Sequence, residues 1–257
     1  MEYIDLNCDL GESYGAYTLG RDDLVIPYIS SANVACGFHA SDPMVMSKTV
    51  AWCKEHNVCV GAHPGFPDLV GFGRRNMEVT PEEAKTMVQY QVGALMAFCQ
   101  AYKISLQHVK PHGALYNMAA KDYILAKAIC EGVKDINPNL ILLVLYGSEM
   151  ERAANDLGMK VAREVFADRG YNEDGSLVDR RKPGAFIHNV EEAIHRVIMM
   201  VKEKKVVTIT GKEIPIYADS ICVHGDGEKA LLFVKCLREA CSFNQIRIQS
   251  LENTINL

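Results

Sequence analysis

Most side chains that could carry out acid–base or metal chemistry in this chain follow predicted strands. Asp9 ends the first strand, IDLNCD, and Glu12 comes just past the Gly11 turn. Comparable groups end or follow later strands: His39, His63, Lys110, His112, Glu164, Asp168, Arg169, His224 and Asp226. The carboxyl ends of parallel strands meet at one edge of an α/β sheet, and active sites form there. The sequence therefore predicts that these groups converge in one site.

The first strand has an apolar face and a polar face. Asp5, Asn7 and Asp9 alternate with apolar residues, and alternate side chains of a strand point to opposite faces. We expect the polar face to point into a barrel with Asp9 at its mouth, because the ends of the other predicted strands are polar as well. A first strand whose polar face meets water is the alternative.

Several polar residues have structural as well as functional interpretations. Lys110 ends a predicted internal strand, and a lone buried ammonium is costly, so it must be paired or functional. Asp42 is predicted to cap a helix. His108 is predicted to lie on the other face of its strand, and Glu164 could pair with a neighbouring arginine.

The residue types are compatible with a metal site, and the sequence contains no recognisable nucleotide-binding motif. Histidines and an aspartate from separate strands would suit a zinc-type site, but no HxxxH or HxH pair fixes its geometry. No GxxxxGK[ST] motif occurs, because Gly211-Lys212 lacks the earlier glycine. The stretch 224–227, HGDG, is a weak candidate for binding an anion at the start of a helix.

Short apolar runs and amphipathic stretches alternate along the whole chain. The predicted strands are 3–9, 32–36, 58–63, 105–110, 140–146, 160–166 and 220–226. The predicted helices lie near 42–56, 80–103, 119–135, 148–157, 189–204 and 227–242, with a hairpin over 206–218 and long loops over 64–79 and 166–188. This alternation favours a parallel sheet. Seven units without a linker predict a single barrel domain over residues 1–257.

The composition excludes some classes of protein. The 257 residues are 49% hydrophobic and 23% charged, with a formal net charge of −5 that gives no case for binding nucleic acid or an anionic membrane. The longest apolar run, 140–146, is far short of the ~20 residues that span a bilayer. The acidic start is unlike a signal peptide. We expect a soluble, cytoplasmic protein whose nine cysteines are reduced.

Six segments, taken together, resemble the LamB/YcsF family. They are DLNCDLGE (5–12), ANVACGFHASDP (32–43), VGAHPGFPDLVGFGRR (60–75), VKPHGALYN (109–117), REVFADRGY (163–171) and ICVHGD (221–226). Each segment alone is modest evidence, but six in the expected order along the whole chain are highly specific. The resemblance implies a distorted (β/α)7 TIM-like barrel of the glycoside hydrolase/deacetylase type, which agrees with the seven strands.

The resemblance also implies an activity. It is the hydrolysis of 5-oxo-L-proline (pyroglutamate) to L-glutamate with cleavage of ATP to ADP and phosphate, in a complex with 5-oxoprolinase subunits B and C. ATP would be the co-substrate, bound by this chain or mainly by the partner subunits, and a divalent metal is left undecided. Two alternatives are a metal-dependent carbohydrate deacetylase that needs no ATP and a carrier that binds a small acid without turnover.

The matching segments imply two groups of site residues. The catalytic candidates are Asp9, His39, His63, Lys110 and His112, and the substrate-binding candidates are Asn7, Glu12, Asp168, Arg169, His224 and Asp226. Opening a lactam needs a base for the attacking water, an acid for the leaving nitrogen and cations near the developing charge. Our hypothesis makes Asp9, with His63 or His39, the base and His112 the acid. Lys110 and Arg169 would offset negative charge.

Overall fold

Seven parallel strands close into a barrel. The computed structural model describes residues 2–223 and 230–256. The strands are β1 (Glu2–Leu10), β2 (Ser31–Ala35), β3 (Cys59–His63), β4 (Leu106–Val109), β5 (Ile141–Leu145), β6 (Lys160–Phe166), β7 (Lys205–Val207), β8 (Glu213–Pro215), β9 (Ser220–Val223) and β10 (Ile246–Ile248). Strands β1 to β6 pair in sequence, β9 follows β6, and β9 also pairs with β1, which closes the ring.

Helices surround the barrel. They are α1 (Asp22–Val25), α2 (Pro43–His56), α3 (Pro81–Tyr102), α4 (Gly113–Ala119), α5 (Tyr123–Ile136), α6 (Glu149–Asp156), α7 (Val190–Lys202), α8 (Ala230–Phe243) and α9 (Leu251–Ile255), with a 3₁₀ helix over Ile26–Tyr28. Strands β7 and β8 form an antiparallel hairpin, and β10 pairs with the start of β1 beside the ring. No helix of the part of the chain described is long and apolar enough to cross a membrane.

The predicted barrel is confirmed, and one helix boundary was wrong. Each strand of the ring starts and ends within one residue of its predicted bounds, where the structure describes them. The last part of the final predicted strand, 224–226, lies outside the described residues. The helix predicted over 119–135 corresponds to α5, which begins only at Tyr123, and α4 (Gly113–Ala119) was not predicted. A new helix begins because the Asp122 carboxylate accepts hydrogen bonds from the backbone N–H groups of Ile124 and Leu125, which caps α5.

Helices α2 and α3 begin where the sequence predicts. The Asp42 carboxylate accepts from the N–H groups of Met44 and Val45, which confirms Asp42 as a helix cap. Thr80 and Glu83 form a capping box at the start of α3. These caps fix where α2 and α3 begin, directly after the loops that follow β2 and β3.

The polar face of β1 points into the barrel. Asp5 and Asn7 are fully buried. The Asp5 carboxylate accepts hydrogen bonds from Ser30, Ser31 and Ser220. The Asn7 side chain donates to Ser220 Oγ at 2.7 Å. A polar face turned to water is therefore excluded for this strand.

Burial of Asp5 is expected to make the stability of the barrel depend on pH. Burial raises the pKa of Asp5 to about 6, although the serine hydrogen bonds lower it. The folded chain thus binds the Asp5 proton more tightly than the unfolded chain does. This difference stabilises the folded state fully below the unfolded pKa of Asp5, and the stabilisation is lost as pH rises through about 6. Relative to wild type, we expect Asp5→Asn to be about 2 kcal/mol more favourable for folding at neutral pH than near pH 4.

Urea unfolding of both proteins at the two pH values measures this difference. Asp23→Asn, at an exposed position, is the control, and its effect should be nearly the same at both pH values. If the effect of Asp5→Asn on the free energy of unfolding were the same at both pH values, the pKa of Asp5 would not be raised in the folded protein.

Gly61 lets β3 lie against the side chain of His108 on β4. A Cβ at Gly61 would overlap the His108 imidazole, whose Nε2 lies 2.8 Å from Asn33 Oδ1. We expect Gly61→Ala to lower the free energy of unfolding by about 3 kcal/mol. Gly93→Ala in α3 is the matched control, because nothing lies within 4 Å of its Cβ position. It should stabilise the protein by about 0.5–1 kcal/mol. Equal effects in denaturant unfolding would contradict this explanation.

Candidate active site

A large cavity opens at the carboxyl ends of the barrel strands. Its volume is 1240 Å³. Asp9, His63, Lys110 and His112 line its inner end. The outer part is lined by the loop after β3, by α4 and by residues 172–182, and it includes Arg74, Arg75, Lys121, Arg169, Arg180, Arg181 and Lys182. The cavity is therefore acidic and imidazole-rich at its floor and rich in cationic side chains toward its mouth.

Lys110 lies at the floor between two carboxylates. Its Nζ is 2.9 Å from Asp9 Oδ1 and 2.7 Å from Glu164 Oε1, and it donates to Asn7 Oδ1 at 3.3 Å. Asn33 also donates to Asp9 Oδ1, at 2.9 Å. Burial lowers the pKa of Lys110, but the charges of Asp9 and Glu164 outweigh it and raise the pKa well above its usual value. Lys110 is therefore a fixed positive charge that holds Asp9 in place.

Three imidazoles lie beside the Asp9 carboxylate. His63 Nε2 is 3.3 Å from Asp9 Oδ2 and 2.9 Å from His112 Nδ1. The rings of His39 and His112 stack with centroids 3.7 Å apart and planes 2° from parallel. Burial is the main cause that lowers the pKa of both His39 and His112 well below the usual value. These two rings are therefore neutral at pH 7.

Glu12 completes the group formed by these imidazoles. Its Oε1 is 3.6 Å from His39 Nε2 and 3.7 Å from His112 Nδ1. One donor atom from each of Glu12, His39, His63 and His112 lies within 4.8 Å of the others. We call these four residues the Glu–His cluster. Nitrogen and carboxylate donors gathered in this way could hold a metal ion.

The loop after β3 makes room for this cluster through glycines. Gly73 has φ +62°, and a Cβ there would lie 2.7 Å from the Cβ of His39 and 2.8 Å from Cδ2 of His112. Any side chain at Gly73 would therefore push the stacked imidazoles out of position. The carbonyl of Phe72, next to this glycine, is 2.8 Å from His112 Nε2.

Comparison with known proteins gives the family. The family model of LamB/YcsF matches residues 4–256. The chain belongs to the LamB/YcsF family. It is 66% identical over 248 residues to a Clostridium beijerinckii protein named as the A subunit of 5-oxoprolinase, covering 96% of this chain and 97% of that one. It is 58% identical over 252 residues to the protein of that name from Alkaliphilus metalliredigens, covering 98% of each.

Solved structures agree with this family and with the barrel. The crystal structure of a lactam utilization protein from Thermus thermophilus has a TM-score of 0.92 and 45% identity, covering 97% of this chain and all of that one. A T48 deacetylase with substrate has a TM-score of 0.51 at 12% identity, covering 99% and 91%. The second likeness concerns the fold alone. Both support the predicted TIM-like barrel of the deacetylase type.

In this LamB/YcsF protein, most predicted site residues lie together. Asp9, Glu12, His39, His63, Lys110 and His112 form the floor of the site, with Asn7 directly beneath it. Arg169 lines the cavity, and its guanidinium donates to the carbonyls of Val178 and Ala185, which anchors the following loop. Asp168 is half-buried beside it. His224 and Asp226 lie outside the described residues.

Sequence reasoning missed Asn33 and Tyr116 at the floor and gave Glu164 the wrong partner. Asn33 hydrogen-bonds to Asp9. Glu164 pairs with Lys110 rather than with an arginine, and Tyr116 donates to Glu164 Oε2 at 3.1 Å. A polar residue between apolar neighbours in β2 was the available signal for Asn33. Tyr116 lies in α4, a helix that the sequence analysis did not predict.

Proposed function

We propose that this protein acts as one component of an ATP-dependent 5-oxoprolinase, the A chain of the complex, which hydrolyses 5-oxo-L-proline to L-glutamate. The observation that carries the proposal is the 66% identity, over 96% of the chain, to the Clostridium beijerinckii protein of that name. The buried Asp9–Lys110 pair beside three imidazoles provides chemistry suited to opening a cyclic amide.

Asp9 is the general base of the proposed reaction. Its Oδ1 is held by Lys110 and Asn33, and its Oδ2 faces His63. A carboxylate fixed in this way takes the proton of a water that attacks the lactam carbon. It then returns the proton to the ring nitrogen as the C–N bond breaks. Asn7 lies beneath Asp9 and positions it through Lys110.

Cationic groups offset the negative charge that develops on the lactam oxygen. Lys110 is next to the base, and Arg169 lies farther along the cavity wall. Two of the Arg169 nitrogens hold backbone carbonyls of the loop after β6. We therefore assign Lys110 to the reacting centre, and we assign Arg169 and its neighbour Asp168 to shaping the wall that receives the substrate.

The three histidines act together rather than as separate acids and bases. His63 Nδ1 is 2.6 Å from the carbonyl of Lys110, and His112 Nε2 is 2.8 Å from that of Phe72. The two ring nitrogens that remain face each other. The histidines and Glu12 therefore present lone pairs beside Asp9 rather than protons that could be donated to the substrate.

ATP is proposed to phosphorylate the lactam oxygen with release of ADP. Attack of water and cleavage of the C–N bond then leave an acyl phosphate, which a second water hydrolyses to glutamate and phosphate. The cavity supports binding of the nucleotide by this chain. The cavity volume of about 1240 Å³ exceeds the roughly 300–1,000 Å³ of pockets for drug-sized ligands. Because 5-oxoproline is smaller than such ligands, the cavity has room for the nucleotide as well. The outer part, with its arginines and lysines, suits a triphosphate. Subunits B and C are the proposed partners, and the cytoplasm is the proposed compartment.

Glutamate release from 5-oxoproline tests this function. The measurement is made with and without ATP, on this chain alone and after addition of subunits B and C. Glutamate formed only with ATP and all three proteins is the expected result. Absence of glutamate, with all three proteins folded and associated, would exclude this function. Glutamate formed without ATP would exclude the ATP-dependent reaction.

A further inference from the structure

We propose that the Glu–His cluster binds one divalent metal ion of the zinc class at the floor of the cavity. The ligands are Glu12, His39, His63 and His112. They come from the ends of four different strands, which explains why no short motif marks the site. This inference concerns binding by the chain itself and does not depend on the reaction that the protein catalyses.

The spacing of the donor atoms fits a shared ion. Tetrahedral or octahedral zinc-class sites with metal–donor bonds near 2.0–2.2 Å put neighbouring donors roughly 3–3.5 Å apart. The observed separations are 2.9 Å between His63 Nε2 and His112 Nδ1, and 3.6 and 3.7 Å from Glu12 Oε1 to His39 Nε2 and His112 Nδ1. The donors lie within 4.8 Å of one another, and binding all four to one ion requires the His39 ring to turn out of its parallel stack with His112.

The backbone fixes which ring nitrogens are available. A carbonyl oxygen only accepts a hydrogen bond, so His63 Nδ1 and His112 Nε2 each carry hydrogen. The lone pairs of His63 Nε2 and His112 Nδ1 then point at each other across 2.9 Å when both rings are neutral. A cation bound by both nitrogens removes this repulsion.

The carbonyl contacts of His63 and His112 are of the kind that support metal-binding histidines in proteins. A ligating histidine donates its other N–H to a carbonyl or carboxylate, which orients the ring and raises its basicity. Here the carbonyls of Lys110 and Phe72 accept from His63 and His112. Two of the four proposed ligands therefore already have their supporting partners.

His39 provides an independent observation. It is 1% exposed, and within residues 2–223 and 230–256 neither of its ring nitrogens has a hydrogen-bond partner. A buried polar group without a partner costs about 1–3 kcal/mol. Coordination through Nε2, which faces Glu12, would satisfy it. When bound, a zinc-class ion supplies Lewis-acid polarisation of an oxygen next to the Asp9 carboxylate.

Metal binding is tested on the full chain after treatment with chelator. We expect the wild type to take up one Co²⁺ or Zn²⁺ per chain, measured by elemental analysis after gel filtration, with Co²⁺ visible absorption as the second readout. His63→Ala and His112→Ala should weaken Zn²⁺ binding by at least about 100-fold, because even outer-shell changes cost 10–100-fold. Glu12→Gln keeps the shape of the side chain and should also weaken binding.

Exposed histidines provide the controls. His56→Gln and His195→Gln, both away from the cavity, should bind Zn²⁺ as the wild type does. Zn²⁺ should raise the melting temperature of the wild type and of these controls, but not that of His63→Ala/His112→Ala. The proposal is overturned if the folded wild type binds no more Co²⁺ and Zn²⁺ than the double variant. Because no activity is measured, that outcome leaves the proposed 5-oxoprolinase function to its own test.

Discussion

Lys110→Met is expected to abolish glutamate formation and to lower the free energy of unfolding by about 3–5 kcal/mol. Lys110 is 3% exposed and lies between the carboxylates of Asp9 and Glu164. Methionine fills similar space but leaves two buried carboxylates without their cation. Steady-state turnover with ATP and the partner subunits, together with urea unfolding of this chain, measures both effects.

A second substitution separates stability from chemistry. Lys110→Met/Glu164→Gln removes the Glu164 charge, so part of the lost stability should return while turnover stays absent. Lys85→Met breaks the surface pair with Asp135, whose atoms are 2.7 Å apart. It should cost about 0–1 kcal/mol and leave turnover unchanged. If Lys110→Met behaved like Lys85→Met, the floor of the site would be elsewhere.

Asp9→Asn is expected to lower kcat by at least about 1,000-fold without unfolding the protein. General base catalysis is worth about 100- to 10,000-fold, and this substitution also removes the partner of Lys110. An amide keeps the size of the side chain and can still accept one hydrogen bond from Asn33. The measurements are kcat with saturating ATP and 5-oxoproline, and circular dichroism for folding.

Two comparisons make the Asp9 result specific. Asp23→Asn, at an exposed position, should keep wild-type kcat. Binding of Zn²⁺ by Asp9→Asn should weaken by no more than about 100-fold, because Asp9 would act next to the metal ligands rather than as one of them. Near-normal turnover by Asp9→Asn would mean that another group takes the proton from water.

The fold was predictable because its causes are local. The apolar alternation of β1, the capping box at Thr80 and Glu83 and the Asp42 cap each involve residues within a few positions of one another. Element type and order follow from such short patterns, and seven strand–helix units leave few ways to bury their apolar faces. Helix α4 was not predicted because it has only seven residues and its N-cap residue, His112, makes no side-chain capping hydrogen bond.

The sequence by itself determined the family, the barrel and most of the candidate site residues, since the ionisable residues at the strand ends can be read directly from the chain. Only the tertiary structure decided which side chains of the site contact each other. Lys110 lies between Asp9 and Glu164, and His63 faces His112, across 49 to 101 positions of sequence. The orientations of the His63 and His112 imidazoles depend on the backbone carbonyls of Lys110 and Phe72. Such contacts arise from closure of the barrel, and no local pattern in the sequence encodes them.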